Sequence, residues 1–155
     1  HTNRAAGVSA KNAFSFKRMI ALPEIPAGTN VVGVGIDSIE VSRIKDSIEK
    51  HGDHFLNKIF TSGEQAYCKD KSDPAPFYAT RFASKEAIAK ALRTGMGKDF
   101  GWLDSEIIHG SAGEPFVALS EEGEELLKSS GATKVLVSLT HLEAVASAVV
   151  VLVSR

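Results

Sequence analysis

The fold of this 155-residue chain is organised around one stretch, residues 81–92, which reads RFASKEAIAKAL. At about 100° per residue, Glu86, Lys90 and Arg93 fall on one face of a helix together with Phe82. The opposite, largely apolar face carries Ser84, Ile88, Ala91 and Leu92. Packing of the apolar face would therefore aim an acid and two bases at one place. The same spacing also fits a solvated helix whose surface pair contributes only about 0.2–0.5 kcal/mol.

Composition narrows the class of protein. A chain of this length with 43% hydrophobic residues fits one globular domain. The balance of 18 basic against 19 acidic residues does not support a nucleic-acid-binding body. The single cysteine, Cys68, excludes an intrachain disulfide framework and a cysteine-rich zinc site, which favours a reducing, cytoplasmic setting. The longest apolar run, residues 144–153, is far shorter than the ~20 residues of a spanning helix, so no membrane segment is predicted.

The first residues have a different composition from the remainder. Residues 1–18 contain four basic side chains and no acid, and the first methionine is Met19. This pattern fits a transit-peptide remnant, a disordered tail or a vector-derived leader ahead of a native start at Met19. We therefore assign residues 1–30 to a leader or tail and residues 31–155 to a single domain.

Hydrophobic periodicity predicts an α+β protein of about five strands and four helices. A strand over 31–36 ends at Asp37, and Ser38 is placed to cap the helix that follows and ends at Gly52. Thr61 and Glu64 match a capping box. Further helices cover about 77–92 and 120–131, and further strands cover 103–109, 116–119, 135–140 and 146–153.

Three separated features point to one chemistry. Asp37 closes the first strand, Glu86 and Lys90 share a helix face, and His141 ends a late strand. Two carboxylates without a nearby cysteine or histidine suit magnesium, which takes its remaining oxygens from water and a phosphorylated substrate. The pattern therefore favours a phosphoryl-transfer centre. Each residue also has a structural interpretation: a helix cap for Asp37, a surface base for Lys90 and a turn histidine for His141.

Five ordered motifs resemble the bacterial-type holo-[acyl-carrier-protein] synthases, which are small 4′-phosphopantetheinyl transferases. They are VGIDSIEVSR at 34–43, Phe60-Thr61 with Glu64, RFASKEA at 81–87 with Lys90, GEP at 113–115, and VSLTH at 137–141 with Ala146 and Ala148. The resemblance spans about residues 31–153. It implies an antiparallel sheet of about five strands with a long central helix, in a homotrimer with sites between subunits.

The resemblance also implies an activity in fatty acid biosynthesis. The 4′-phosphopantetheine arm of coenzyme A would move to a serine of apo acyl carrier protein, with release of adenosine 3′,5′-bisphosphate. Asp37 and Glu86 would hold Mg²⁺, and Lys90 would stabilise charge or donate a proton to the leaving phosphate. The residues that would bind coenzyme A are Arg81, Lys90, His141, Gly113 and Pro115.

Activation of the serine is assigned to a water held by the metal or a carboxylate, with Glu86 as the group that orients it. Lys85 points about 100° away from Glu86 on the helix, so no direct catalytic role is expected for it.

The predicted partner is the acidic helix of a carrier protein, with Arg43 as a contact. Two departures from the family pattern bear on this prediction and on nucleotide binding. Acids at 46, 49 and 53 dilute the charge of the first helix. Asp73 stands where the family often places a nucleotide-contacting arginine, with Lys71 nearby.

Two other functions fit the same residues. A non-catalytic module would bind coenzyme A or carrier protein without adding mass to the carrier. A magnesium-dependent nucleotide hydrolase would let water replace the carrier serine. The complete set of Asp37, Glu86, Lys90 and His141 favours the transferase, since a binding module has no need for two metal carboxylates.

Overall fold

A computed structural model describes residues 27–155 of the chain. The predictions for the leader, including the native start at Met19, lie outside the described residues. The assignment of residues 31–155 to a single domain stays a prediction.

The described residues form nine regular elements. They are β1 (Asn30–Glu40), α1 (Val41–Ile59), α2 (Ser62–Lys69), α3 (Ala75–Ala91), β2 (Ser105–His109), β3 (Pro115–Leu119), α4 (Glu121–Ser129), β4 (Lys134–His141) and β5 (Val145–Ser154). Every strand pairing is antiparallel. The predicted α+β class, with five strands and four helices in the described part of the chain, is confirmed.

The strands form two sheets, where the resemblance implied one. A three-stranded sheet has the order β1-β5-β4, and β2 and β3 form a separate hairpin. The hairpin packs beside β4 without joining its hydrogen-bond ladder. The chain leaves β3 through α4 before it enters β4, so these two strands are not joined by a tight turn.

Helix α3 packs directly on β1 because two glycines remove side chains from the contact. A Cβ on Gly33 would lie 2.5 Å from the carbonyl oxygen of Ala91, and one on Gly35 would overlap that of Ala87. No other residue type fits at such distances. Side chains alternate along a strand, so Asp37 projects toward α3 from the same face as Gly35. This places Asp37 beside the C-terminal half of α3.

Two predictions about the end of β1 were wrong. Asp37 lies inside the strand, opposite Ala148 of β5, and pairing continues to Glu40. Ser38 does not cap a helix; its Oγ lies 2.7 Å from Oγ of Ser147. The reason is that the neighbouring strand satisfies the backbone groups of these residues, which outweighs local capping propensity.

The helix after β1 also differs from its predicted end. α1 extends to Ile59, although Gly52 has a non-helical backbone (φ 51°, ψ −130°) that kinks it. Gly52 therefore breaks the helix, as glycine at positive φ does, but a second helical segment continues the element.

Other local predictions are confirmed. Thr61 and Glu64 form both hydrogen bonds of the capping box, and Ser120 accepts a hydrogen bond from the backbone N–H of Gly123. On α3 the predicted apolar face is buried, while Lys90 is exposed. Among the described residues, no helix has both the length and the apolar composition needed to cross a membrane.

Candidate functional site

The first candidate site lies where β1 meets α3. Lys90 Nζ donates hydrogen bonds to Asp37 Oδ1 and to the carbonyl oxygen of Ile36, both at 3.0 Å. The Lys90 side chain is 53% exposed and that of Asp37 is 19% exposed. The packing of β1 on α3 thus joins two predicted site residues that lie 53 positions apart.

Glu86 completes this group, and its pKa is shifted by neighbouring charges of both signs. Partial burial raises the pKa of Glu86 above the ordinary value, the Asp37 carboxylate raises it further, and Lys90 acts in the opposite direction. Two carboxylates are therefore close enough to repel each other, with one ammonium beside them. We call Asp37, Glu86 and Lys90 the carboxylate cluster.

The donor set of this cluster fits magnesium. The described residues hold no group of three or more acids, histidines or cysteines that could bind a metal alone. A cation here would have two protein carboxylates and would complete its coordination with water or substrate oxygens, as Mg²⁺ ordinarily does. Such a cation would also relieve the repulsion between Asp37 and Glu86.

The second candidate site surrounds Arg81, which is only 2% exposed. Its guanidinium donates to the Phe77 carbonyl (3.2 Å), to Thr80 Oγ1 (3.3 Å) and, from Nη2, to His109 Nε2 (2.7 Å). The ion pairs of the described residues do not include Arg81. A buried guanidinium held only by neutral acceptors attracts an anion.

Aromatic and cationic side chains surround Arg81. The guanidinium carbon lies 4.2 Å from the centre of the Tyr67 ring, and Lys71 Nζ lies 4.4 Å from it. The rings of Phe77 and His141 meet edge-on, with their centres 5.1 Å apart. Lys71 Nζ lies 5.3 Å from the centre of the Phe77 ring. His109 stacks on Tyr67 at 4.4 Å. We call this group the arginine cluster: Tyr67, Lys71, Phe77, Arg81, His109 and His141.

The two clusters use different faces of α3. Arg81 and Glu86 are five residues apart, which separates them by about 140° around the helix axis and about 7.5 Å along it. Arg81 accordingly faces the β2–β3 hairpin through His109, and Glu86 lies beside Asp37 of β1. Within one chain, the two predicted halves of the site therefore do not open toward each other.

Lys85 lies in a structural environment away from the carboxylate cluster. It is buried and forms an ion pair with Glu64 at 2.8 Å. Its Nζ also donates to the carbonyl oxygens of Trp102 and Ser105. Burial lowers the pKa of Lys85, while the Glu64 carboxylate acts in the opposite direction. These contacts join α2, α3 and the segment leading to β2.

The remaining predicted residues lie on two surfaces. Arg43 is exposed on α1. Gly113 lies in the turn between β2 and β3 with φ of 83°, and its carbonyl oxygen is 3.0 Å from His109 Nδ1. Pro115 starts β3 opposite His109. The structure therefore connects Gly113 to Arg81 through His109.

Sequence reasoning missed His109 and Tyr67 as parts of this site. His109 ends a predicted strand and pairs with Pro115 of the GEP motif. The antiparallel register of a short hairpin was the available signal, because it places the residue before the turn beside the residue after it. Tyr67 gave no signal, since its contact with Arg81 depends on how α2 packs.

Comparison with known proteins supports one family. A sequence profile described as the 4'-phosphopantetheinyl transferase superfamily matches residues 33–149. A holo-[acyl-carrier-protein] synthase of Chlamydia muridarum (strain MoPn / Nigg) is 46% identical over 119 residues, covering 77% of this chain and 92% of that protein. The synthase of Protochlamydia amoebophila (strain UWE25) is 43% identical over 117 residues, covering 76% and 93%.

Solved structures agree with the sequence comparison. The holo-[acyl-carrier-protein] synthase of Neisseria meningitidis has a TM-score of 0.74 at 29% identity, covering 79% of this chain and 98% of that one. The synthase of Helicobacter pylori, solved in complex with coenzyme A, has a TM-score of 0.67 at 32% identity, covering 77% and 98%.

Proposed function

This chain belongs to the 4'-phosphopantetheinyl transferase superfamily, and we propose here which of its residues perform the transfer. The enzyme moves the 4′-phosphopantetheine arm of coenzyme A to a serine hydroxyl of apo acyl carrier protein. The serine oxygen forms a bond to the pantetheine-side phosphorus as the bond to the leaving adenosine 3′,5′-bisphosphate breaks. The products are holo carrier protein and the bisphosphate.

The carboxylate cluster is the proposed reaction centre. The observation that carries this assignment is the convergence of Asp37, Glu86 and Lys90 at one junction, with the pKa of Glu86 raised by burial and by Asp37. Asp37 and Glu86 would hold Mg²⁺, which when bound supplies positive charge to the diphosphate and so favours the transition state of phosphoryl transfer.

Lys90 and Glu86 have separate roles in this proposal. Lys90 Nζ is anchored by Asp37 and the Ile36 carbonyl but is half exposed, so it can meet the leaving phosphate and stabilise its charge or give it a proton. Glu86 orients the water that accepts the proton of the serine.

The arginine cluster is the proposed site for the nucleotide end of coenzyme A. Arg81 is a buried cation without a paired acid among the described residues, and Lys71 adds a second cation to the same aromatic group. Lys71 can therefore replace the arginine whose position Asp73 takes in this chain. His141 belongs to the cluster, and the turn containing Gly113 and Pro115 joins it through His109, which supports the proposal that these residues bind coenzyme A.

Because the two clusters lie on different faces of α3, we propose that one coenzyme A spans two subunits. The carboxylate cluster of one protomer would face the arginine cluster of its neighbour in a homotrimer. An exposed apolar strip on β1 supports assembly: Val34 is 60% exposed and Ile36 is 63% exposed. Their partners on β5, Val151 and Val149, extend the strip across the sheet.

The proposal also includes a carrier-protein contact, a pathway and a compartment. Arg43 is exposed on α1, where it can meet an acidic helix of the carrier protein. We place the reaction in fatty acid biosynthesis. Since the one cysteine is a free, buried thiol, the chain needs no oxidising compartment, and we place it in the cytoplasm.

One assay tests the reaction centre. Asp37→Ala and Glu86→Ala are each expected to slow transfer to an apo carrier protein at least ~100-fold, measured as mass added to the carrier with coenzyme A and magnesium. Glu121→Ala, an exposed acid at the start of α4, is the control and should retain activity. Full activity in both site variants would refute the assignment. Binding of coenzyme A by the unaltered protein without mass transfer would indicate the non-catalytic module, and release of the bisphosphate without carrier would indicate a hydrolase.

A second experiment tests the shared site. Ile36→Arg places charges on the apolar strip and should shift the protein from trimer to monomer in sedimentation analysis, with loss of transfer. Mixing Glu86→Ala and Arg81→Ala proteins, each slow in transfer by itself, should then raise the activity above that of either one, because a mixed trimer contains some intact interfaces. A fully active Ile36→Arg monomer would rule out a site built from two subunits.

A further inference from the structure

We infer that His109 is a positioning residue for coenzyme A. It connects Arg81 on α3 to the Gly113 carbonyl in the β2–β3 turn, at 2.7 Å and 3.0 Å. Both of these partners are proposed to bind the nucleotide, so the inference rests on the proposed function of the arginine cluster. His109 acts through them and does not itself touch the reacting atoms.

The partners of His109 select its tautomer. The Gly113 carbonyl can only accept a hydrogen bond, so Nδ1 must carry the proton. The Arg81 guanidinium can only donate, so Nε2 must present its lone pair. The two contacts therefore select the tautomer that carries its proton on Nδ1. In this form the ring accepts a hydrogen bond from Arg81 through Nε2 and donates one to the Gly113 carbonyl through Nδ1 at the same time.

His109 gives Arg81 a hydrogen-bond acceptor from outside α3. The other two acceptors of the guanidinium, the Phe77 carbonyl and Thr80 Oγ1, belong to the same helix. Among the described residues, His109 is the acceptor that ties the guanidinium to another element. Three of the five guanidinium N–H groups are thereby occupied, and Nε has no partner. Without His109, a long side chain would regain rotamer freedom that phosphate binding must then remove.

The stacking of His109 on Tyr67 adds a second contact that must be separated from the acceptor. The rings are 4.4 Å apart and inclined by 14°. A change that removes the whole ring would lose both contacts and could disturb the hairpin. Two variants separate them: His109→Phe keeps a ring against Tyr67 without an acceptor, and His109→Gln keeps an acceptor without the ring.

The experiment measures KM and kcat with coenzyme A and carrier protein varied in turn. His109→Phe is expected to raise KM for coenzyme A roughly tenfold or more, the effect of losing one hydrogen bond to a charged group. KM for the carrier and kcat should stay near the unaltered values, and calorimetric affinity for adenosine 3′,5′-bisphosphate should fall in parallel. His109→Gln should restore most of the affinity. Ser111→Ala, exposed in the same turn, is the control.

Two results would overturn the inference. One is an unchanged KM for coenzyme A in His109→Phe, and the other is an equal loss in His109→Gln, which would assign the effect to stacking. If His109→Phe does not fold by thermal denaturation, His109→Leu takes its place. Arg81→Ala separates the inference from the proposal beneath it. An unchanged KM in Arg81→Ala refutes nucleotide binding by Arg81, whereas a raised KM there with a normal His109→Phe refutes only the role of His109.

Discussion

Two ion pairs on α3 use similar groups at similar distances, and we propose different roles for them. Lys85 meets Glu64 at 2.8 Å, and Lys90 meets Asp37 at 3.0 Å. The side chains of the first pair are 1% and 0% exposed, whereas those of the second are 53% and 19% exposed. The distance between the charges thus does not distinguish the pair that we assign to the fold from the pair that we propose to be functional. Access to water and ligand does.

The physical reason lies in desolvation. The buried pair is acceptable only because further hydrogen bonds surround it: Lys85 Nζ reaches two carbonyl oxygens, and Glu64 accepts from the backbone N–H groups of Thr61 and Ile107. The exposed pair loses little hydration and contributes little to stability. Lys90 and Asp37 can therefore give up their mutual contact and bind a ligand instead, whereas Lys85 and Glu64 cannot.

Removing the cation from the buried pair should give the largest loss of stability. Lys85→Met keeps most of the side-chain volume but leaves the Glu64 carboxylate buried without a counter-charge. We expect the free energy of unfolding to fall by about 3–5 kcal/mol, measured by urea denaturation at fixed protein concentration. Transfer activity per folded molecule should change little. A loss of less than ~1 kcal/mol would show that the pair does not support the fold.

Glu86 is the residue after Lys85, and its replacement should reduce activity rather than stability. Glu86→Gln removes a proposed metal carboxylate, so transfer should slow at least ~100-fold while the protein remains folded. Stability without metal should rise slightly above neutral pH, because the repulsion by Asp37 is gone. Carrier modification by mass and urea denaturation at several pH values measure the two effects. Equal loss of activity and stability would indicate a structural role.

The pH dependence of stability follows from the raised pKa of Glu86. Above its unfolded pKa, near 4.5, the folded protein retains a proton at Glu86 that the unfolded chain has released. Stability attributable to Glu86 should therefore fall as pH rises from about that value through the raised folded pKa. Glu86→Gln should lack this decrease when both proteins are compared in chelator. Parallel pH profiles would contradict the assignment.

The smallest expected change in stability belongs to the exposed pair. Lys90→Met, the match of Lys85→Met five residues along the helix, should alter the free energy of unfolding by less than ~1 kcal/mol. It should still slow transfer by roughly tenfold or more, since a charge that would face the leaving phosphate is lost. Urea denaturation and initial rates at saturating coenzyme A measure the two quantities. A destabilisation as large as that of Lys85→Met would erase the distinction between the pairs.

Much of the carboxylate cluster was predictable from the sequence. Helical period placed Glu86 and Lys90 on one face and the apolar side chains on the other. The structure buries the apolar side chains and brings Lys90 to Asp37, but Arg93, predicted for the same face as Lys90, lies beyond the end of α3 with φ of 62°. Asp37 was expected at the end of a strand, although pairing with β5 carries the strand three residues further, to Glu40. The family membership implied by the motifs is also confirmed.

The arginine cluster was predictable only in part. Arg81, His141, Gly113 and Pro115 were identified by resemblance, but nothing in their spacing indicated the link through His109. Tyr67 and Lys71 joined the cluster because α2 and the loop after it pack against the start of α3. Such contacts depend on the relative placement of elements, which local periodicity does not encode.

The sequence by itself determined local features of this protein: the apolar face of α3, the capping box of α2, the N-cap of α4, and the motifs of the superfamily. These depend on the properties of residues a few positions apart. Only the tertiary structure decided which lysine became buried, how far β1 extended and which side chain held Arg81. Those outcomes depend on desolvation and on hydrogen bonds between distant segments, whose free energies exist only once the chain is packed.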